Sequence, residues 1–140
     1  MRVAAIALLA LGLAACGGVH SPSGFRLPEN GDIERGKTAF AELKCWACHT
    51  VDGVDFPAPT EQPTVPLGGM VREIRTDGYL VTSIIHPSHK LAARPVKEIT
   101  VEGESRMPDY TRSITVRQLV DMVALLQSRY RFEPPPPMAP

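Results

Sequence analysis

The sequence predicts an all-α domain of three or more short helices joined by long loops. Three observations carry that expectation. Apolar residues recur at helical spacing in three segments, and a proline-studded stretch between the first two excludes a central strand. The folded span is only about 100 residues, which struggles to build a sufficient core unaided.

The first helix is expected from about Asp32 to Lys44. Asp32 suits an N-cap, and Gly36, Phe40 and Leu43 stand at i, i+4 and i+7 on one face. The second runs from about Asp77 to His86, where Tyr79, Leu80, Ile84 and Ile85 are apolar and Pro87 ends the run. The third opens at Thr115, which forms a capping-box pattern with Gln118, flanked by Ile114 and Leu119 as a hydrophobic staple. Its apolar stripe is Leu119, Met122, Val123, Leu126 and Tyr130. Pro57, Pro59, Pro63 and Pro66 occupy the long loop between the first two helices. Loops of that length inside a small domain usually have a task, and wrapping a ligand is one.

The termini read differently. Arg2 and the apolar run Val3 to Leu13 make residues 1–15 an export signal, too short for a bilayer span of about 20 residues. The run closes in Leu13-Ala14-Ala15-Cys16, which resembles the lipobox of bacterial lipoproteins. That resemblance implies cleavage before Cys16, lipidation of its thiol and amine, and a membrane-held protein facing the periplasm. Residues 16–30 are rich in Gly, Ser and Pro and read as a flexible tether. The domain is expected over 31–132, with a Pro-rich tail over 133–140.

Charge excludes one class of partner. The chain has 15 basic and 15 acidic residues, whereas a nucleic-acid binder calls for a basic domain.

Cys45-Trp46-Ala47-Cys48-His49 follows directly on the first helix. It is the attachment pattern for c-type haem. Two thiols three positions apart add to the two porphyrin vinyl groups, and the adjacent histidine is placed under the iron. With only 4 Phe, 3 Tyr and 1 Trp in the chain, a buried porphyrin would supply missing apolar mass. The three cysteines divide as Cys16 for lipid and Cys45 and Cys48 for one covalent haem. A second axial ligand should come from farther along the chain. Met107, in the loop before the third helix, is the best candidate; a thioether favours ferrous iron and raises the potential. Met70, Met122 and Met138 are rivals, and His86 or His89 would instead give a bis-histidine iron.

The segment from about 32 to 131 resembles a class I monohaem cytochrome c. The resemblance rests on the Gly36/Phe40 helix, the Cys45 to His49 motif, Met107-Pro108, and a closing helix with Leu126 and Tyr130. It implies a small helical fold around the haem, in which Gly36 and Phe40 meet Leu126 or Tyr130. It also implies a proline carbonyl that accepts from the ligand histidine's Nδ1–H. Either Pro63 or Pro66 could serve, and Pro63 is favoured. Arg72 and Arg75 follow the proline loop, where similar proteins often place a propionate partner, although solvated surface arginines fit better.

The expected function is a membrane-tethered electron carrier between redox protein partners such as membrane complexes. A fixed haem subunit of a respiratory or dehydrogenase complex is the alternative, and an open-iron catalytic or gas-sensing protein a third. No acid–base constellation accompanies the motif, so an enzyme is not expected.

Overall fold

The computed structural model describes residues 25–134. The signal-like segment, Cys16, the first part of the tether and the tail from residue 135 lie outside them. Four helices carry the fold, with six short strands arranged as three two-stranded pairs.

Helix α1 covers Ile33–Glu42. Asp32 caps it as expected, its Oδ1 accepting from the Arg35 N–H at 2.8 Å. Helix α2 covers Asp77–Ile85 and is capped by Thr76, whose Oγ1 accepts from the Tyr79 N–H at 3.2 Å. A four-residue helix α3, Val96–Ile99, follows; it is too short for periodicity to reveal. Helix α4 covers Val116–Gln127 with both arms of the Thr115/Gln118 capping box made, at 3.1 and 3.0 Å.

The core lies between α1 and α4, with α2 packed alongside. Gly36 allows this. A Cβ there would stand 2.3 Å from the Asp121 carbonyl oxygen and 2.9 Å from the Leu125 Cβ, so only glycine lets the two backbones approach so closely. Gly36 therefore meets Asp121 and Leu125, while Phe40 shares the buried cluster with Leu126, and Tyr130 packs against it. The crossing widens the buried face of α4. Val120, Asp121 and Leu125 join Met122, Val123 and Leu126 inside, and Leu125 is wholly buried. Leu119 is only partly buried, and Tyr130 lies beyond the helix in a strand.

Two buried carboxylates tie the elements together. Asp121 accepts from the Asp32 N–H at 2.8 Å and from Arg35 at 2.8 and 3.1 Å, fastening the start of α1 to α4. Asp77 accepts from the Leu27 N–H at 3.3 Å and from Gln127 Nε2 at 3.2 Å. Arg117 Nη1 also reaches the Asn30 Oδ1 at 3.1 Å. The tether expected over 16–30 is thus shortened at its far end, because Leu27 and Asn30 are fastened to the domain.

The strands are local. β1 (His49–Val51) pairs in parallel with β2 (Val65–Leu67). Pro66 sits within β2, which is tolerable because a two-stranded pair has an open edge. β3 (Gly69–Val71) pairs with the C-terminal β6 (Tyr130–Phe132). β4 (Thr100–Val101) and β5 (Glu104–Ser105) form a hairpin whose turn is Glu102-Gly103. Both turn residues have positive φ, 52° and 88°, as a two-residue type I′ turn requires.

Candidate haem site

The end of α1 builds the first half of the site. Lys44 adopts a left-handed conformation, φ 55° and ψ 30°, and swings the chain into a 3₁₀ turn over Cys45–Ala47. Ala47 N–H donates to Lys44 O at 3.0 Å and Cys48 N–H to Cys45 O at 3.3 Å. Side chains three apart in a 3₁₀ turn eclipse one another, so Cys45 and Cys48 are presented on one side. Both are free thiols. Burial pushes Cys45 up to about 11, against the effect of the neighbouring Tyr110 hydroxyl. Cys48 is also raised, by burial first and the Glu61 carboxylate second, while Arg106 opposes the shift.

The proline loop wraps this turn. Thr60 and Glu61 N–H groups donate to Ala47 O at 3.0 and 2.8 Å, and Val65 N–H donates to Cys48 O at 2.8 Å. His49 then opens β1 in register with Val65. Its Nδ1 lies 3.1 Å from the Val65 carbonyl oxygen. A carbonyl only accepts, so this geometry assigns the proton to Nδ1 and leaves the Nε2 lone pair for a metal. Burial lowers the His49 pKa despite that bond, which favours the neutral, ligand-competent ring.

The acceptor is therefore Val65, and the expectation of Pro63 or Pro66 is corrected. The β1–β2 register decides it, since the residue opposite His49 is Val65. Pro63 instead lines a cavity of about 330 Å³ with Gln62, Glu98 and Arg106. A signal was present: the residue before Pro66 is confined to extended backbone, which suits a carbonyl presented from a strand.

Met107 follows the β4–β5 hairpin and is half-buried. Its N–H donates to Ser105 Oγ at 3.2 Å, and the neighbouring Arg106 N–H donates to Ile99 O at 2.9 Å. Tyr110 closes the segment. Its hydroxyl donates to Leu43 O at 3.1 Å, at the end of α1, and reaches the Cys45 thiol. Burial first, then the neighbouring thiols, push that phenol up to about 12. The methionine loop is thereby fastened beside the cysteine turn. Sequence reasoning assigned no role to Tyr110, Arg106 or Glu61, because their contacts join segments remote in the chain.

The rival ligands are placed elsewhere. Met122 is a core residue and Met70 is 57% exposed on β3; Met138 lies outside the described residues. His86 and His89 face each other and line a different cavity, against α2. Arg72 is exposed, and Arg75 pairs with Glu73 at 3.3 Å while its guanidinium lies 4.7 Å from the Tyr79 ring centre.

Two thiols on one turn, a half-buried imidazole with Nε2 available and a loop-borne thioether fit a covalently held haem. This defines the class: a small helical domain built around a tetrapyrrole iron centre. Residues 33–129 match the family described as Cytochrome c, and the chain belongs to that family, whose members carry covalent haem c and transfer electrons. No curated protein and no solved structure gives a significant match.

Proposed function

We propose that this protein is a membrane-tethered carrier of single electrons with one haem c on Cys45 and Cys48, His49 and Met107 as axial ligands, and a lipid on Cys16. The observation that carries the ligand assignment is the bond from His49 Nδ1–H to the Val65 carbonyl at 3.1 Å, which leaves Nε2 as the ring's one donor atom.

Bound haem supplies a one-electron couple at iron. The rest is the work of this chain. The thiols would fix the porphyrin against the end of α1, and Val65 holds the imidazole in one tautomer and orientation. Ser105 and Tyr110 hold the Met107 loop in place, so little reorganisation is needed when charge changes. As an iron ligand the Met107 thioether, neutral and soft, would favour the reduced state. Among the described residues no helix is long and apolar enough to cross a membrane, so membrane attachment rests on Cys16 in the lipobox-like Leu13-Ala14-Ala15-Cys16.

Two variants test the reading. Met107→Ala should abolish the methionine–iron charge-transfer band of the oxidised protein; an unchanged spectrum overturns the assignment. Cells fed a radiolabelled fatty acid should label the wild type and not Cys16→Ala; an unlabelled wild type overturns the lipid anchor.

A further inference from the structure

A second site stands apart from the haem motif, where α2 ends. His86 caps α2 and Pro87–His89 forms a 3₁₀ turn immediately after it. The His89 N–H donates to His86 O at 2.9 Å, and Pro87 fixes one backbone angle inside the turn. His86 stands just before that turn, with φ −144° and ψ 62°, and the two imidazoles are brought together. Their ring centres are 5.7 Å apart with planes tilted by 37°. Ser88 secures the turn from the other side, its Oγ accepting from the Ser105 N–H at 3.0 Å.

Both rings are exposed and line a cavity of about 240 Å³ shared with Gly78, Tyr79, Thr82, Ser83 and Lys90. We propose that His86 and His89 form a binding site for a borderline divalent transition ion, of the Cu²⁺, Ni²⁺ or Zn²⁺ kind, separate from the haem iron. Imidazole is the protein ligand these ions share. Two imidazoles bound to one ion through nitrogens about 2.1 Å away have ring centres about 5 Å apart. The observed spacing needs only a small side-chain rotation to reach that value.

Among the described residues no group of three or more His, Cys, Asp or Glu could hold a metal. The pair is therefore an open site with two protein nitrogens, its other positions filled by water or a small ligand in the cavity. Lys90 is the opposing charge. Its ammonium lies 4.0 Å from the Glu73 carboxylate and 5.6 Å from the Tyr79 ring centre, on a side chain that is largely exposed, so it is partly neutralised and able to withdraw.

The test is titration of the full haem-loaded chain with Ni²⁺ by calorimetry, and with Cu²⁺ by electron paramagnetic resonance on the ferric protein. The wild type should bind one ion, with two equivalent nitrogens on the copper. His86→Gln and His89→Gln should each remove one nitrogen and weaken binding by at least about tenfold, the loss that even an outer-shell change causes at metal sites. The double variant should lose the site while the haem spectrum stays unchanged, which shows that the fold is intact. Absence of binding to the wild type, or equal affinity and nitrogen count in the double variant, overturns the proposal. Neither result bears on the haem ligands, which the Met107→Ala spectrum reports independently.

Discussion

Tyr110 spans the two halves of the site with one hydroxyl, donating to Leu43 O at 3.1 Å beside the Cys45 thiol. Tyr110→Phe keeps the ring and removes the bond. A neutral hydrogen bond contributes about 1 kcal/mol, so the urea midpoint of the holoprotein should fall by about that equivalent. Because the bond also holds the Met107 segment, the charge-transfer band should fade at a lower temperature than in the wild type. Asp121 offers a pH test. The Arg35 hydrogen bond first, then the Asp32 N–H and the nearby guanidinium charges, hold its carboxyl below the usual carboxylate range, against the effect of burial. A lowered folded-state pKa means stability that is fully present above the unfolded value, near 3.9, and lost as pH falls through the folded one. Asp121→Asn should therefore lower stability at neutral pH. The gap between variant and wild type should close below about pH 4, which acid unfolding followed by circular dichroism would measure.

Helix packing sets the next scale. Gly36→Ala would gain about 1 kcal/mol in helix propensity. The new methyl, however, would stand 2.3 Å from a backbone oxygen, and backbone cannot rotate away as a side chain can. Overpacking of this kind costs about 1–3 kcal/mol, so the clash should win. The thermal midpoint of the holoprotein should fall.

The helices were the legible part of the sequence. Asp32, the Thr115/Gln118 box and Pro87 mark boundaries through local hydrogen bonds and sterics, and those signals survive in the fold. The haem motif was legible for the same reason, since Cys45, Cys48 and His49 are adjacent in the chain. The acceptor on His49 was not, because it depends on a strand register between residues 16 apart. Met122, Val123 and Leu126 of the expected stripe on α4 are buried, but the face is wider than expected, since contact with Gly36 also buries Asp121 and Leu125. The strands escaped because two or three residues are too few to show alternation.

For the molecule as a whole, the porphyrin should be a structural requirement. The chain has only 4 Phe, 3 Tyr and 1 Trp to build a core, and both halves of the site are fastened around the place where the ring would sit. Cys45→Ser with Cys48→Ser should yield a chain that lacks a cooperative thermal transition, with secondary structure reduced in far-ultraviolet circular dichroism. A sharp transition near the wild-type midpoint would show that the polypeptide core suffices.

Asp77 carries a geometric consequence for the anchored protein. Its bond to the Leu27 N–H sets the point at which the chain leaves the domain, beside the start of α2. On the lipid-anchored reading proposed above, residues 17–26 separate Cys16 from Leu27, a leash of at most about 40 Å even if fully extended. A leash that short restricts rotation as well as distance. The side of the domain that meets a redox partner would then depend on Leu27, which belongs to neither half of the haem site.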